Sequence, residues 1–151
     1  MTPENYLLKK LMLPDLKLLK VEKISNKTLH YHCVNKTKWE VCRKCPTKSY
    51  TVHDHRTVSI RDTKLQYKNV RLIIKKRRFK CPKCKAVFTE SVSGIRPRHR
   101  TSEKYRNKLL FDYKNFHTTK SVASIARCSD TLVSKVINER HELELRKSRN
   151  T

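Results

Sequence analysis

Apolar and polar residues alternate through the first part of the chain and then change their spacing. In YKNVRLIIKKRRFK, residues 67–80, Val70, Leu72 and Ile74 recur at period two against a mixed apolar and basic face, which predicts a strand. VHDHRTVSI, residues 52–60, predicts another, with Thr57, Val58 and Ile60 as β-formers. AVFTE, residues 86–90, predicts a short closing strand. Upstream, residues 16–24 and 27–34 predict two strands that pair with these. Residues 4–13 predict a short helix that Pro14 ends, with Leu7, Leu8 and Leu11 packed on the core.

Beyond Ser102 the period lengthens. Ser102 suits a helix cap, Glu103 suits the first turn, and Tyr105, Leu109, Tyr113 and Phe116 recur near helical spacing. SVASIARCSDTLVSKVI, residues 121–137, predicts two more helices joined by a tight turn. Val122, Ala123, Ile125 and Ala126 form the apolar face of the first. Leu132, Val133, Val136 and Ile137 form that of the second, and Ser129 or Asp130 caps it. This is the layout of a helix-turn-helix, with Ala123, Val133 and Val136 at the packing positions. Arg127 stands in the turn, where glycine is usual because it accepts positive φ. The recognition helix is expected from Asp130 to Glu139. Asp130, Thr131 and Lys135 would meet base edges, and Ser129 and Ser134 phosphates.

Two cysteine pairs interrupt the strand pattern: CRKC at 42–45 and CPKC at 81–84. A pair of C-x2-C knuckles brings four thiolates to one Zn2+ with tetrahedral geometry. The residues between them leave room for two or three strands, as in a zinc ribbon. A redox reading needs a single C-x2-C on a βαβ background, which is missing. Cys42, Cys45, Cys81 and Cys84 are therefore the expected ligands of one structural zinc, with no open position for catalysis. Cys33 is expected as a small buried side chain, and His53 and His55 as exposed residues of one strand face.

Composition narrows the partner. The 151 residues hold 37 Lys and Arg against 13 Asp and Glu, a formal charge of +24. Self-repulsion on that scale calls for a polyanion, and nucleic acid is the default. A membrane is disfavoured, because no apolar run approaches the ~20 residues needed to span one. MTPENYLLKKLMLPDLKLLK lacks the features of a signal peptide, so a cytoplasmic, nucleoid-associated protein is expected. The chain's one glycine, Gly94, excludes Gly-rich phosphate loops. No acid occurs from Thr63 to Thr89, while Lys75, Lys76, Arg77, Arg78 and Lys80 lead into the second knuckle. Such a stripe is expected on DNA phosphates, with Arg96, Arg98 and Arg100 of SGIRPRHRTS beside it. Phe79 and Tyr67 are read as core or edge packing rather than as base-stacking platforms.

CRKC, VHDHR, the Arg61-Asp62 pair, VRLIIKKRRFKCPKC and VFTE together resemble the zinc-finger N-terminal region of bacterial insertion-sequence transposases of the L3 group. Pro46 and Lys85 stand where such knuckles often carry glycine. The resemblance implies binding to double-stranded DNA, namely the terminal inverted repeats of a mobile element. A second copy of the chain (a homodimer), or a full-length transposase, is the expected protein partner. Family members continue into an RNase H-like catalytic domain that this chain does not contain, so a truncated, non-enzymatic recognition portion is expected. A stand-alone repressor and a basic RNA-binding zinc protein are the rival readings. The expected fold is α+β: a helix and strand element over 1–35, a β-rich zinc ribbon over 36–92, a basic linker over 93–102, a helix-turn-helix module over 103–146 and a tail over 147–151.

Overall fold

The computed structural model describes residues 13–151. The helix expected at 4–13 thus falls almost wholly outside the described residues. The chain divides into two compact units, the first ending at Lys104 and the second beginning at Tyr105.

The first unit is built on a sheet of β1 (Leu16–Ser25), β2 (Thr28–Asn35), β5 (Val52–Leu65), β6 (Lys68–Lys80) and β7 (Val87–Thr89). Its order is β1-β2-β6-β5, with β7 also on β6. Two short strands, β3 (Glu40–Val41) and β4 (Lys48–Ser49), pair with each other around the first knuckle. β6 is central: it runs antiparallel to β5, parallel to β2 along Asn69–Ile74, and antiparallel to β7 along Arg78–Lys80. The sequence pattern anticipates these strands but not the parallel β2–β6 pair, whose crossover is the whole first knuckle with β5.

Period two explains the core. Val70, Leu72 and Ile74 of β6 join Leu16 and Leu18 of β1, Tyr31 and Cys33 of β2, and Ile60 of β5 in one buried cluster. Each fully buried aliphatic side chain contributes roughly 1.5–3 kcal/mol. Val92 and Ile95 complete the cluster. Residues 93–102, expected as a linker, are thus packed chain. Arg61 N–H donates to Arg100 O at 2.8 Å, Ser102 N–H donates to Arg61 O at 2.9 Å, and the Ser102 hydroxyl donates to buried Asp62. Beyond Ile74 the buried parity of β6 switches. Phe79 is buried on the odd positions and stacks on Phe88 at 6.1 Å, beneath the knuckles.

The second unit holds α1 (Glu103–Phe116), α2 (Thr119–Ala126) and α3 (Asp130–Arg149). Tyr105, Leu109, Val122, Ala123, Val133 and Val136 form its core. Ile125, expected on the apolar face of α2, is exposed. Thr118 Oγ1 accepts from Ser121 N–H at 3.2 Å, and Ser129 Oγ accepts from Leu132 N–H at 3.2 Å, so both later helices begin on side-chain caps. Arg127 closes α2 in the left-handed region, at φ 51° and ψ 53°. Its N–H turns back to Ala123 O and Ser124 O. A residue with a Cβ takes the conformation in which glycine is easiest. α3 runs to Arg149, well beyond Glu139 and through most of the expected tail.

Candidate metal centre and nucleic-acid interface

Each knuckle is a tight backbone loop that ends a strand. Cys42 N–H donates to Thr47 O at 2.9 Å, and Cys81 N–H donates to Ala86 O at 2.9 Å. In the second knuckle Lys85 takes φ 60°, and Cys84 N–H points at Cys81 Sγ at 3.5 Å. Pro46 holds the equivalent place in the first, where proline fixes φ negative. There the Thr47 hydroxyl donates to Cys45 O at 2.8 Å and closes the loop instead.

Cys42 Sγ lies 3.6 Å from Cys84 Sγ, and Cys45 Sγ lies 3.3 Å from Cys81 Sγ. All four sulfurs are within 4.8 Å of one another. Four sulfurs at ~2.3 Å from a tetrahedral zinc are about 3.8 Å apart, so the spacing fits that ion. The hydrogen bond with the Thr47 hydroxyl, followed by that with Cys81, pulls the Cys45 thiol down to about 6. Backbone N–H groups of Cys45 and Lys44 lower Cys42 as well. At Cys84 the Ala86 N–H favours the thiolate, but burial and the three neighbouring sulfurs outweigh it and push the thiol up to about 11. A bound cation favours the thiolate form of its sulfur ligands. The four cysteines fill a closed tetrahedral set, which makes the zinc structural.

Cys33 is a core residue apart from this set, its thiol pushed up to about 12 by burial. His53 and His55 are exposed, as expected. Glu22, His30 and His32 also bring ligand atoms within 4.8 Å of one another. The Glu22 carboxylate is 2.8 Å from His32 Nε2 and faces Lys20, which together hold it below the ordinary carboxylate range. Its charge is thereby largely compensated without a metal.

The residues of the basic stripe differ in pairing and exposure. Arg77 Nε and NH2 donate to Glu90 Oε2 at 3.0 and 2.7 Å, and its guanidinium stands 5.1 Å from the Phe79 ring. Glu90 is 2% exposed, so this pair belongs to the interior. Arg78 pairs with Asp54 at 2.8 Å. Both arginines, expected on phosphates, are engaged by acids of their own chain. Lys76 is half-buried, and burial lowers its ammonium. Lys75 and Lys80 stay exposed. Arg96 pairs with Glu103, while Arg98 and Arg100 are exposed.

A groove of about 840 Å³ opens beside the first knuckle. Arg43 and Lys44 of CRKC, Arg56 of β5, Lys76, Arg98 and Arg100 line it. Arg43, Lys44 and Arg56 escape the sequence reading because no charge run marks them. The fold alone brings these separated cations to the same groove. In the second unit Ser129, Asp130, Thr131 and Lys135 are exposed along the first turns of α3, and Ser134 is half-buried.

A set of strands closed by four cysteines, with a basic groove at its metal end, defines a zinc-ribbon arrangement. Residues 32–84 match the family model described as the zinc-finger of transposase IS204/IS1001/IS1096/IS1165. The matched segment contains all four cysteines, the first knuckle, β5 and β6. No curated protein and no solved structure matches the chain. No described helix is long and apolar enough to cross a membrane.

Proposed function

We propose that this chain is the DNA-recognition portion of an insertion-sequence transposase, binding the terminal inverted repeats of its element as duplex DNA. The observation that carries this reading is the basic groove set against the metal end of a transposase-type zinc finger. Zinc fixes the knuckles, the knuckles fix Arg43 and Lys44, and the groove takes phosphates at little ordering cost. Lys75 and Lys80 extend the phosphate surface along β6.

Base readout falls to the second unit in this reading. The α2–turn–α3 arrangement has the spacing of a helix-turn-helix, and the exposed N-terminal turns of α3 carry Asp130, Thr131 and Lys135. Lysine suits guanine O6 and N7, and Asp130 suits the cytosine amino group. Ser129, as N-cap, presents backbone N–H groups to a phosphate. Glu90 and Asp54 are taken up by internal pairs with Arg77 and Arg78, and the reading gives the chain recognition and assigns it no strand cleavage.

The test is metal content by mass spectrometry together with titration of the terminal repeat against a scrambled duplex at several salt concentrations. One zinc per chain, at least tenfold preference for the repeat, and loss of that preference in Thr131→Ala/Lys135→Ala are expected. Equal affinity for both duplexes, unaltered by the double substitution, would refute specific recognition. Tighter binding to RNA than to any duplex would favour the RNA-binding rival.

A further inference from the structure

The end of the sheet farthest from the zinc carries features that packing does not use. β5 and β6 are joined there by Gln66 and Tyr67, which take φ 48° and 65°. A two-residue hairpin with positive φ at both central positions normally draws Asn-Gly, because a Cβ is disfavoured in that region. Tyr67 is 97% exposed, so its ring makes no contact that offsets the strain. It was expected in the core or along an edge, and the structure places it at the tip, where no neighbouring strand reaches.

The β1–β2 turn lies at the same end. Thr28 is in register with Asn69, and Asn69 N–H donates to Lys27 O at 2.7 Å. The two turns are therefore held side by side. Between them they carry Lys23, Lys27, Lys64 and Lys68, with Asn26 and Gln66 as neutral donors, and segments 23–28 and 63–69 contain no acid. The nearest acids along the chain are already engaged: Glu22 by His32, and Asp62, buried, by Ser102.

We infer that this double-turn end of the sheet is a second contact for duplex DNA, with the Tyr67 ring against sugars and base edges in a groove and the four lysines on the flanking phosphates. The inference rests on the DNA-binding reading above and adds a site to it. An exposed aromatic between cations suits a nucleic acid, whose sugars and base edges offer apolar surface in a groove and whose phosphates offer the charge. A membrane surface would want several apolar side chains at the tip, and among the large hydrophobics only Tyr67 and Ile24 are exposed there, amid four lysines. The duplex is favoured over single strands because a hairpin tip is convex. It enters a groove, whereas single strands are bound along concave channels.

Geometry sets the reach. β6 leads from Lys68 at the tip to Lys80 at the zinc knuckle, 13 residues. At ~3.3 Å per residue that is about 40 Å, close to one turn of B-DNA. A duplex in the metal-end groove and against the tip would be covered over about a dozen base pairs by this unit.

The experiment compares full-length Tyr67→Gly, Tyr67→Ala and Lys64→Ala/Lys68→Ala with the wild type. Glycine relaxes the turn, so Tyr67→Gly should melt at or above the wild-type temperature and keep one zinc. Its affinity for duplex should nevertheless fall about tenfold, with an unchanged salt slope, since the ring's contact with sugars and base edges is lost and no phosphate contact. Lys64→Ala/Lys68→Ala should flatten the slope of log affinity against log salt by about two. Hydroxyl-radical footprints of both variants should lose protection at one end. Wild-type affinity in Tyr67→Gly, or a loss seen only on single strands, overturns the tip site and leaves the groove and α3 reading in place. A wild type that binds no duplex removes both.

Discussion

Arg77 shows how a side chain acquires a role that its neighbours in sequence do not share. It stands in the run Lys75-Lys76-Arg77-Arg78, yet it alone meets a buried carboxylate. Glu90 accepts from the Arg77 backbone N–H at 2.8 Å as well as from its guanidinium. Removing one member of a buried pair leaves the other charge desolvated. Arg77→Met should therefore destabilise the first unit by about 3–5 kcal/mol in urea unfolding, whereas Arg77→Met/Glu90→Met should be close to neutral. If Arg77 acted chiefly on phosphates, the single variant would keep its stability and lose only affinity. The charge of this run was legible in the sequence; its division was not. The partners Asp54 and Glu90 lie 24 and 13 residues from their arginines, and only strand register brings them together. The four zinc ligands were legible for the opposite reason: each C-x2-C pair is a local geometry that its own backbone loop enforces.

At the scale of elements, period and caps gave the helices their starts, and apolar spacing gave them their buried faces. Arg127 takes the left-handed turn expected of glycine, and Ser129 caps the next helix. Replacing Arg127 by glycine relieves the Cβ clash. It should raise the melting temperature of the helical unit by a few degrees, equivalent to about 1 kcal/mol, as read by ellipticity at 222 nm. A fall in melting temperature would mean that the arginine side chain itself supports the turn. The far end of α3 was illegible because its signal is not apolar. After Glu139 the helix exposes Leu143 and Leu145 and is held by good helix formers and the Arg140–Glu144 pair at 3.0 Å. The parallel β2–β6 ladder was equally hidden, since strand pattern shows which face is buried but not which strand lies alongside.

For the whole molecule, the division at Lys104 separates a unit that needs metal from one built on helix packing. The chain has one tryptophan, Trp39, and it lies in the first unit beside Lys48, whose ammonium is 4.4 Å from the ring. Its emission thus reports on the zinc-bearing unit alone. A chelator at neutral pH should red-shift Trp39 emission and abolish the transition of the first unit, while helical ellipticity and the transition of the second unit persist. Simultaneous loss of both would show that the second unit depends on the first.

The central place of β6 has a consequence for how the chain is made. β1 and β2 emerge from the ribosome early and can form only a hairpin, whose β2 edge stays open until β6 arrives. The first knuckle follows with half a ligand set. Neither is completed until Lys68–Lys80 arrives, and the missing cysteines come directly behind it. Sheet closure and metal capture therefore fall within one short interval of synthesis. A ribosome that stalls before that interval holds an unpaired hairpin and two bare thiols, a nascent chain that chaperones must shield and that free zinc cannot rescue.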